Sequence, residues 1–475
     1  MREIKFGTDG WRGVLGEDFV HENVRKVVYA IARYVVRAED ARRGVLVGYD
    51  NRFGSQQFAR VAADTISMTG TPVFLCTEPC PTPAISLLVR QRKAAGGVMI
   101  TASHNPYRWN GIKYKASYGS SALPSIVAQI ETELQKVLLE GVPNLPARRH
   151  LVQPLDFRKP YLDTIEKLVD WDRIASHPVK LVVDPMHGAA RGLLCEVLAR
   201  HGVKCDEIRG TRDSHFGGVN PEPIEPHVAA LQKAVREGGY DAGLAADGDG
   251  DRIGAVDRDG KFVTPHQIFS LLLWHLAGTR QLTGDVAKTF SSTKMLDKIA
   301  AKYGRKLYEV PIGFKYICEL MLEHDILLGG EESGGIGTKL YLPERDATVT
   351  ALLLVELMAW HGKGLGELVR MLQKEFGEHH YGRVDLELKP GQKELAIAHF
   401  STEPGNGKKG LTRWLDWEIT QRETMDGIKL QLDQNGWLLI RASGTENMLR
   451  LYAETSRPGT TRRILDETAA FVQNL

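Results

Sequence analysis

Short apolar runs alternate with segments of helical periodicity over most of the chain. Runs of about 4–8 apolar residues bounded by glycine or a polar residue predict buried strands, and an apolar residue every three or four positions predicts a helix. In the first part of the chain the predicted strands and helices are 24–36 (helix), 44–50, 72–75 and 97–100 (strands) and 125–139 (helix). Ser55 is predicted to cap a further helix. This alternation indicates an α/β fold.

The same alternation returns twice, and then strands predominate. The later predicted strands are 179–183, 241–246, 286–290, 326–328, 382–388, 427–431, 437–441 and 449–454, and the later helices include 192–201 and those that begin at Pro265 and Thr461. We therefore predict three α/β domains with mixed sheets and a smaller C-terminal α+β domain. The expected domains are residues 1–150, 151–260, 261–377 and 378–475.

Composition narrows the class of protein. Basic and acidic residues nearly cancel, 61 against 59, so no overall field attracts nucleic acid or an anionic membrane. The longest apolar runs, 271–276 and 351–360, contain His275 and Glu356 and are shorter than the roughly 20 residues of a membrane span. The charged first seven residues do not read as a signal peptide. With five cysteines, few and odd in number, these features predict a cytoplasmic protein.

The apolar run at 97–100 ends abruptly in Thr-Ala-Ser103-His104, and the following Asn-Pro predicts a tight loop. Ser103 is therefore expected at a strand end, where open α/β sheets bind ligands. The next predicted strand carries Lys113 towards the same place. A serine with a histidine and a lysine beside it can carry a phosphoryl group, because cations offset the charge of a phosphoserine. The alternative is a turn whose side chains cap backbone groups.

Three aspartates follow the apolar strand of the second domain, in the sequence Asp247-Gly-Asp249-Gly-Asp251-Arg252. Alternation in an extended segment is expected to place the three carboxylates on one side. Carboxylates this close stay ionised when a cation lies among them. Arg252 and Arg258 stand where a calcium EF-hand needs glycine and glutamate, so the pattern favours magnesium, with manganese as the second choice. The alternative is a solvated acidic turn.

Two further stretches suit phosphate. Residues 6–13 hold three glycines, which let backbone approach a ligand closely, and Arg12, whose planar guanidinium matches phosphate. Lys315 belongs to the predicted loop Gly313-Phe314-Lys315. Residues 6–13 taken alone are also compatible with an ordinary N-terminal turn.

Two glycine-bounded loops suit a sugar and a phosphate, respectively. In the loop 329–335, Glu331 and Ser333 can hydrogen-bond vicinal hydroxyls of a sugar. The loop 441–447 offers a guanidinium, two hydroxyls and a glycine to a phosphate; these belong to Arg441, Ser443, Thr445 and Gly444. A flexible turn and a plain hairpin turn are the respective alternatives.

In order along the chain, these motifs read F-G-T-D-G-W-R-G, T-A-S-H-N-P, D-G-D-G-D-R, G-E-E-S-G-G and R-A-S-G-T-E. Together, over the whole chain, they resemble the α-D-phosphohexomutase family, which includes phosphoglucomutases and phosphomannomutases. The resemblance implies a heart-shaped enzyme with its three α/β domains and C-terminal domain around a central cleft. One departure is Asn447, where many members have proline.

The resemblance also implies roles for individual residues. The expected catalytic residues are Ser103 as the phosphoserine, with Arg12, His104, Lys113 and Arg252 around the reacting phosphoryl group. The expected ligands of one magnesium ion per chain are Ser103, Asp247, Asp249 and Asp251. The expected substrate-binding residues are Lys315, Glu331 and Ser333 and, for the non-reacting phosphate, Arg441, Ser443, Gly444 and Thr445.

The implied reaction transfers the phosphoryl group of Ser103 to a hexose monophosphate. The resulting hexose 1,6-bisphosphate, also the expected activator, turns end for end and returns its other phosphate to Ser103. Either Lys113 or His104 is the general acid or base, and the sequence leaves this choice open.

The substrate is expected to be a small phosphosugar, glucose phosphate first and mannose phosphate second. The main alternative is a phosphoglucosamine mutase, which shares the opening F-G-T-D-G but usually carries Q-S-G-H where this chain has E-S-G-G. A magnesium-dependent sugar phosphatase and a non-catalytic phosphosugar-binding protein are weaker alternatives. No nucleic-acid or membrane partner is expected, and both a monomer and a homodimer remain open.

Overall fold

A computed structural model describes residues 4–6, 9–402, 410–433, 436–442 and 448–475. The chain forms two compact units: unit 1 consists of Met1–Ala287 and Gly313–Leu368, and unit 2 of Lys288–Ile312 and Val369–Leu475. Unit 2 is thus built from two separate stretches of chain. The predicted boundaries of the four domains stay predictions.

The strands follow the predicted apolar runs closely. They are β1 Trp11–Val14, β2 Val45–Tyr49, β3 Val73–Cys76, β4 Gly96–Ile100, β5 Trp109–Ala116, β6 Ser120–Ser121, β7 Val152–Leu155, β8 Leu181–Asp184, β9 Cys205–Glu207, β10 Ala242–Ala246, β11 Ile253–Asp257, β12 Phe262–Val263, β13 Asp285–Thr289, β14 Leu307–Val310, β15 Ile326–Gly330, β16 Ile336–Thr338, β17 His380–Glu387, β18 Arg413–Trp414, β19 Trp417–Glu423, β20 Ile428–Leu432, β21 Trp437–Ala442 and β22 Met448–Thr455.

Helices lie between the strands in the α/β parts of the chain. They are α1 His21–Ala38, α2 Ser55–Met68, α3 Thr82–Arg92, α4 Pro124–Glu140, α5 Arg158–Ile165, α6 Trp171–Ser176, α7 Leu193–Arg200, α8 Ala229–Gly238, α9 Pro265–Leu273, α10 Met295–Lys302, α11 Phe314–Glu323, α12 Ala347–His361, α13 Leu365–Phe376, α14 Gln392–Ser401 and α15 Pro458–Gln473.

The first sheet is mixed, as predicted. Its strand order is β1-β5-β4-β2-β3-β7, with β6 beside β5. Strands β4, β2, β3 and β7 run parallel to one another, whereas β5 runs antiparallel to β4 and to β1. The register pairs Met99 of β4 with Lys113 of β5. The sheet therefore brings the strand that carries Lys113 alongside the strand that leads to Ser103.

One local prediction about this sheet is wrong. Helix α2 begins at Ser55, and its N-cap is Gly54 in the left-handed conformation, with φ +74°. The Ser55 hydroxyl donates instead to Asp50 Oδ1 at 2.8 Å. Ser55 thus supports the loop after β2 rather than the start of the helix, because its hydroxyl donates to Asp50 and accepts from the side-chain amide of Asn110, at 2.9 Å.

The other sheets complete the predicted classes. The second has the order β12-β11-β10-β8-β9, in which β8, β9 and β10 are parallel and β11 is antiparallel to β10. The third has four strands in the order β14-β13-β15-β16. The last, in unit 2, is the antiparallel sheet β17-β22-β21-β20-β19-β18, whose apolar face forms a core with side chains of α14 and α15. The predicted fold class, three α/β domains and a smaller C-terminal α+β domain, is thus confirmed.

Two observations bear on the environment of the chain. The structure joins Cys195 of α7 and Cys205 of β9 in a disulfide, a pairing that the cysteine spacing did not predict. Cys76, Cys80 and Cys318 are free and buried. Among the described residues, no helix combines the length and the apolar character that crossing a bilayer would require.

Helix α12 is buried on almost every side, and its N-cap residue, Asp346, is ionisable. Asp346 caps the helix by accepting from the backbone N–H groups of Thr348 and Val349, at 2.9 and 3.0 Å. The Tyr161 hydroxyl donates to the same carboxylate. Burial raises the pKa of Asp346 to about 7, against 3.8 for an ordinary aspartate.

This shift predicts a pH-dependent stability. A raised folded-state pKa gives stability that is complete below pH 4 and is lost as the pH rises through about 7. Asp346→Asn keeps a capping side chain but does not ionise. Relative to that of wild type, the free energy of unfolding of the variant should rise by on the order of 3–4 kcal/mol between pH 4 and pH 8. Thermal unfolding across this range measures the difference. Asp170→Asn, at the exposed N-cap of α6, is the matched control, and parallel curves for wild type and Asp346→Asn would contradict the prediction.

Candidate active site

Ser103 lies in the loop after β4, where the sequence predicted it. It is 1% exposed and adopts the left-handed conformation, with φ +53°, which is uncommon for a residue with a side chain. Its backbone N–H donates to Thr101 Oγ1 at 2.9 Å, and its hydroxyl donates to Asp247 Oδ2 at 2.8 Å. The fold therefore joins the serine motif to the aspartate motif, 144 positions further along the chain.

The three aspartates lie in the loop between β10 and β11. This loop is a series of turns with Gly250 at φ +73°, so the expectation of an extended segment is wrong. The turns nevertheless bring the carboxylates together, with one oxygen of each within 4.8 Å of the others. All three side chains, those of Asp247, Asp249 and Asp251, are fully buried.

Two carboxylate oxygens of this group lack a hydrogen bond. Asp249 Oδ1 and Asp251 Oδ1 are buried and have no hydrogen-bond partner among the residues that the structure describes. Buried carboxylate oxygens that lack a hydrogen bond cost free energy, so these two atoms suit a cation. Burial and the neighbouring carboxylates also raise the pKa of Asp247 well above its usual value. A set of oxygen donors alone fits Mg²⁺.

Lys113 is the cation that the chain itself supplies to this group. Its ammonium nitrogen lies 2.9 Å from Asp249 Oδ2 and from Asp251 Oδ2, and 3.0 Å from Asp9 Oδ2. Burial acts to lower the pKa of Lys113, but these three carboxylates raise it above its ordinary value. Burial acts to raise the pKa of Asp249, but Lys113 and the Thr82 hydroxyl lower it. The lysine and this aspartate are therefore both charged.

Further cations surround the serine. Arg12 of β1 donates from NH1 to Asn105 Oδ1 at 2.8 Å, in the loop that follows β4. The Ser103 hydroxyl lies 3.5 Å from His104 Nδ1. Burial, and then the positive charges of Arg252 and Arg12, lower the pKa of His104 well below its ordinary value. The imidazole is neutral near pH 7, and the structure brings all four predicted cationic or basic side chains to one place.

The predicted sugar-binding loop is the tight turn between β15 and β16. The Gly334 N–H donates to the carbonyl of Glu331 at 3.2 Å, and the Gly334 carbonyl accepts from the N–H of Ile253 at 3.1 Å. Ile253 begins β11, directly after the aspartate loop. Glu331 is buried, and Ser333 lies half-buried in the turn. Backbone hydrogen bonding therefore ties the turn with Glu331 and Ser333 to the aspartate loop.

Arg345 connects these two loops through its side chain, and sequence reasoning missed it. Its NH1 donates to Glu331 Oε2 at 2.9 Å, and its NH2 lies 2.8 Å from both Asp251 Oδ2 and Asp9 Oδ2. In the sequence Arg345 belongs to the tripeptide Glu-Arg-Asp before an apolar helix. Such a charged tripeptide is typical of a solvated turn. The only signal was that α12, which follows at once, is too apolar to lie on a surface.

The remaining predicted residues are less closely tied to this cluster. Lys315 lies half-buried in the first turn of α11, so the expectation of a loop at this residue is wrong. It stands beside Phe314, whose ring lies 5.2 Å from the guanidinium carbon of Arg345. Arg441 belongs to β21 of unit 2, and its Nε donates to Asp426 Oδ1 at 2.9 Å. Ser443, Gly444 and Thr445 lie outside the described residues.

Comparison with known proteins finds one family over most of the chain. Four family models match in order: phosphoglucomutase/phosphomannomutase alpha/beta/alpha domain I at residues 3–140, domain II at 159–260, domain III at 264–376, and the C-terminal domain at 418–471.

Proteins of the same family are similar to this chain over nearly its full length. A phosphoglucomutase/phosphomannomutase of Thermococcus kodakarensis is 30% identical over 97% of this chain and 96% of its own length. A phosphoglucosamine mutase of Chromohalobacter salexigens is also 30% identical, over 98% of both chains. A crystal structure from Thermus thermophilus, provisionally named a phosphomannomutase, is 32% identical over 99% of both chains with a TM-score of 0.84. The chain therefore belongs to the phosphoglucomutase/phosphomannomutase family, whose members are mutases that transfer a phosphoryl group within their substrate.

Proposed function

We propose that this mutase interconverts hexose 1-phosphate and hexose 6-phosphate, with Ser103 as the phosphoryl carrier. The observation that carries the proposal is the 2.8 Å hydrogen bond between the Ser103 hydroxyl and Asp247, within a buried group of three carboxylates. A serine held against carboxylates takes up a phosphoryl group only where cations balance the charge. Arg12, Arg252 and Lys113 supply such charge from the chain.

The carboxylates of Asp247, Asp249 and Asp251 would hold a magnesium ion, and the phosphorylated Ser103 would complete its ligands. When bound, Mg²⁺ supplies positive charge to the transferring phosphoryl group. The oxygens of Asp249 and Asp251 that lack a hydrogen bond support this proposal. A hexose 1,6-bisphosphate is the proposed intermediate and activator.

Two side chains are candidates for moving the proton of the attacking sugar hydroxyl. His104 has its Nδ1 3.5 Å from the Ser103 hydroxyl, and Lys113 has its ammonium among the carboxylates. Both lie beside the groups that would react, as general acid–base catalysis requires. We keep both as proposals.

Sugar and distal phosphate would be held by separate groups. Glu331 and Ser333 would bind the 3- and 4-hydroxyls, which exchange places when the hexose is turned end for end. The loop with Arg441, Ser443, Gly444 and Thr445 would hold the phosphate that does not react, and Lys315 would be a further substrate-binding residue.

Relatives favour two substrate classes equally, because their names include both phosphoglucomutase/phosphomannomutase and phosphoglucosamine mutase. We propose glucose phosphates first and mannose phosphates second, with glucosamine phosphate as the alternative. The test assays wild-type protein with the 1-phosphates of glucose, mannose and glucosamine, each primed with the matching 1,6-bisphosphate, and also measures inorganic phosphate. Highest turnover with glucosamine 1-phosphate would support the alternative, and phosphate release without isomerisation would support a phosphatase.

Glu331→Ala should depress turnover of glucose and mannose phosphates by similar factors. Glucose and mannose differ only at the 2-hydroxyl, which neither Glu331 nor Ser333 is proposed to bind, and a site rejects an analogue strongly only when its own polar groups lose partners. Phosphorylation of Ser103 should persist in the variant. Steady-state kinetics with both sugars measures the two factors, and a large loss confined to one epimer would contradict the assignment.

A further inference from the structure

Arg52 lies behind the serine loop and is fully buried. It follows β2 in the sequence Tyr49-Asp50-Asn51-Arg52, and nothing in the proposed reaction uses it. Its guanidinium faces backbone carbonyls of the loop between β4 and β5. We name this loop, residues 101–108, the serine loop.

Every N–H of the Arg52 guanidinium has an acceptor. Nε donates to Asp50 Oδ2 at 3.1 Å. The other four donors meet backbone carbonyls at 2.6, 2.7, 2.9 and 3.1 Å; these belong to Ser103, Asn105, Pro106 and Trp109 respectively. Because a guanidinium has five N–H donors, none is left for a substrate. Arg52 therefore differs from Arg12 and Arg252, which line the site.

The group that holds Arg52 is itself fixed. Asp50 accepts from the hydroxyls of Thr101 and Ser55, at 2.7 and 2.8 Å, so the same carboxylate holds the start of the serine loop and the start of α2. On another side, the ring of Phe216 lies 4.9 Å from the guanidinium carbon of Arg52. Phe216 is buried and left-handed, with φ +54°. Such strained residues persist only where their surroundings over-determine them.

Ser103 needs such support, because its own conformation is also left-handed, with φ +53°. Left to itself, a serine prefers the ordinary regions of φ and ψ, in which its hydroxyl would point elsewhere. The Ser103 carbonyl accepts the shortest of the Arg52 hydrogen bonds, at 2.6 Å.

We propose that Arg52, held by Asp50 and Phe216, is a positioning residue that fixes Ser103 in the left-handed conformation from which its hydroxyl reaches the aspartate loop. This inference rests on the proposed role of Ser103 as phosphoryl carrier. Arg52 touches no reacting atom and acts through the backbone of the serine loop. A lysine has three donors on one nitrogen and cannot reproduce the fork, so the two residues are not interchangeable here.

The test compares Arg52→Lys with Arg209→Lys. Arg209 is a matched control, because its guanidinium also pairs with a buried aspartate at the carboxyl end of a strand, Asp184 of β8. Unlike Arg52, it donates to none of the described carbonyls of the serine loop. Three quantities are measured on each protein: hydrogen exchange of peptides across unit 1, the rate at which glucose 1,6-bisphosphate phosphorylates Ser103, and kcat and KM separately.

For Arg52→Lys we expect hydrogen exchange to be faster in the serine loop only. We expect the phosphorylation rate of Ser103 and kcat to be about 100-fold lower, and KM to stay within about threefold of the wild-type value, because a small misplacement of a reacting group acts mainly on turnover. Arg209→Lys should leave exchange of the serine loop and phosphorylation of Ser103 at wild-type values. Unchanged loop exchange and phosphorylation in Arg52→Lys, or faster exchange across all of unit 1, would overturn the proposal.

A milder variant keeps the test decisive if Arg52→Lys does not fold. Ser55→Ala removes one of the hydroxyls that hold Asp50 and leaves Arg52 intact, and we expect phosphorylation of Ser103 about three- to tenfold slower, with faster loop exchange. Wild-type behaviour of Ser55→Ala in both measurements would then overturn the proposal. Failure of wild-type Ser103 to accept a phosphoryl group would instead refute the proposed function, while loop exchange in the variants would still report whether Arg52 fixes the loop.

Discussion

Ser103→Ala should abolish mutase turnover, with a loss of at least about 1,000-fold, because the residue that carries the phosphoryl group is removed. The fold should survive, since the change removes one side-chain hydroxyl and its hydrogen bond to Asp247, worth about 1–3 kcal/mol. Intact-protein mass spectrometry after incubation with glucose 1,6-bisphosphate should show a phosphate adduct on wild type and none on the variant.

The control for this experiment is Ser176→Ala, at the exposed end of α6, which should keep the adduct and the turnover. Retention of more than a few per cent of wild-type turnover by Ser103→Ala, about 1–5%, would exclude a phosphoserine mechanism, because no neighbouring group can replace a lost nucleophile at that level. A phosphate adduct that persists in the variant would place the phosphoryl carrier at another residue.

Asp249→Ala should weaken Mg²⁺ binding and lower turnover by about 100-fold or more at ordinary magnesium concentrations. The variant removes one oxygen that has no other partner and one that holds Lys113 and Thr82. Two carboxylates then remain for an ion that prefers about six oxygens. Titration of metal-free protein with Mg²⁺, followed by calorimetry, measures the affinity, and a coupled assay over a range of Mg²⁺ concentrations measures the rate.

Asp257→Ala is the matched control, because Asp257 is buried at the opposite end of β11 and binds backbone N–H groups instead of facing the triad. Its Mg²⁺ affinity should equal that of wild type. If chelator-treated wild-type protein turns over at its full rate, the three aspartates are structural and do not serve a metal.

Much of the fold could be predicted because its buried strands carry almost unbroken apolar runs. Strand β4 was expected at 97–100 and runs Gly96–Ile100, and β21 was expected at 437–441 and runs Trp437–Ala442. Strand β1, Trp11–Val14, was not predicted, because a short segment that contains a charged Arg12 gives no apolar run. It is a strand only because β5 pairs with it from a distant part of the chain.

The residues of the candidate site also divide into those that the sequence could predict and those that it could not. Ser103 and the aspartates could be found because reactive residues stand beside glycines at the ends of apolar strands. Arg345 and Arg52 could not, since a charged side chain far from its partners in sequence looks like any surface charge. Arg345 bonds Asp9 across 336 positions, and Arg52 bonds Ser103 across 51. Such pairs become visible only once the sheets are assembled.

The division of unit 2 into two stretches has a consequence for synthesis of the chain. The stretch Lys288–Ile312 leaves the ribosome long before its partners in the same unit: Lys429, which donates to the Phe290 carbonyl at 2.8 Å, follows 139 positions later. At about 5–20 residues per second that interval is roughly 7–28 s. During this time the stretch lacks the contacts that it makes with the C-terminal sheet. The last stretch therefore cannot complete unit 2 by itself, and any stop within the last strands removes contacts from a segment deep in the preceding chain.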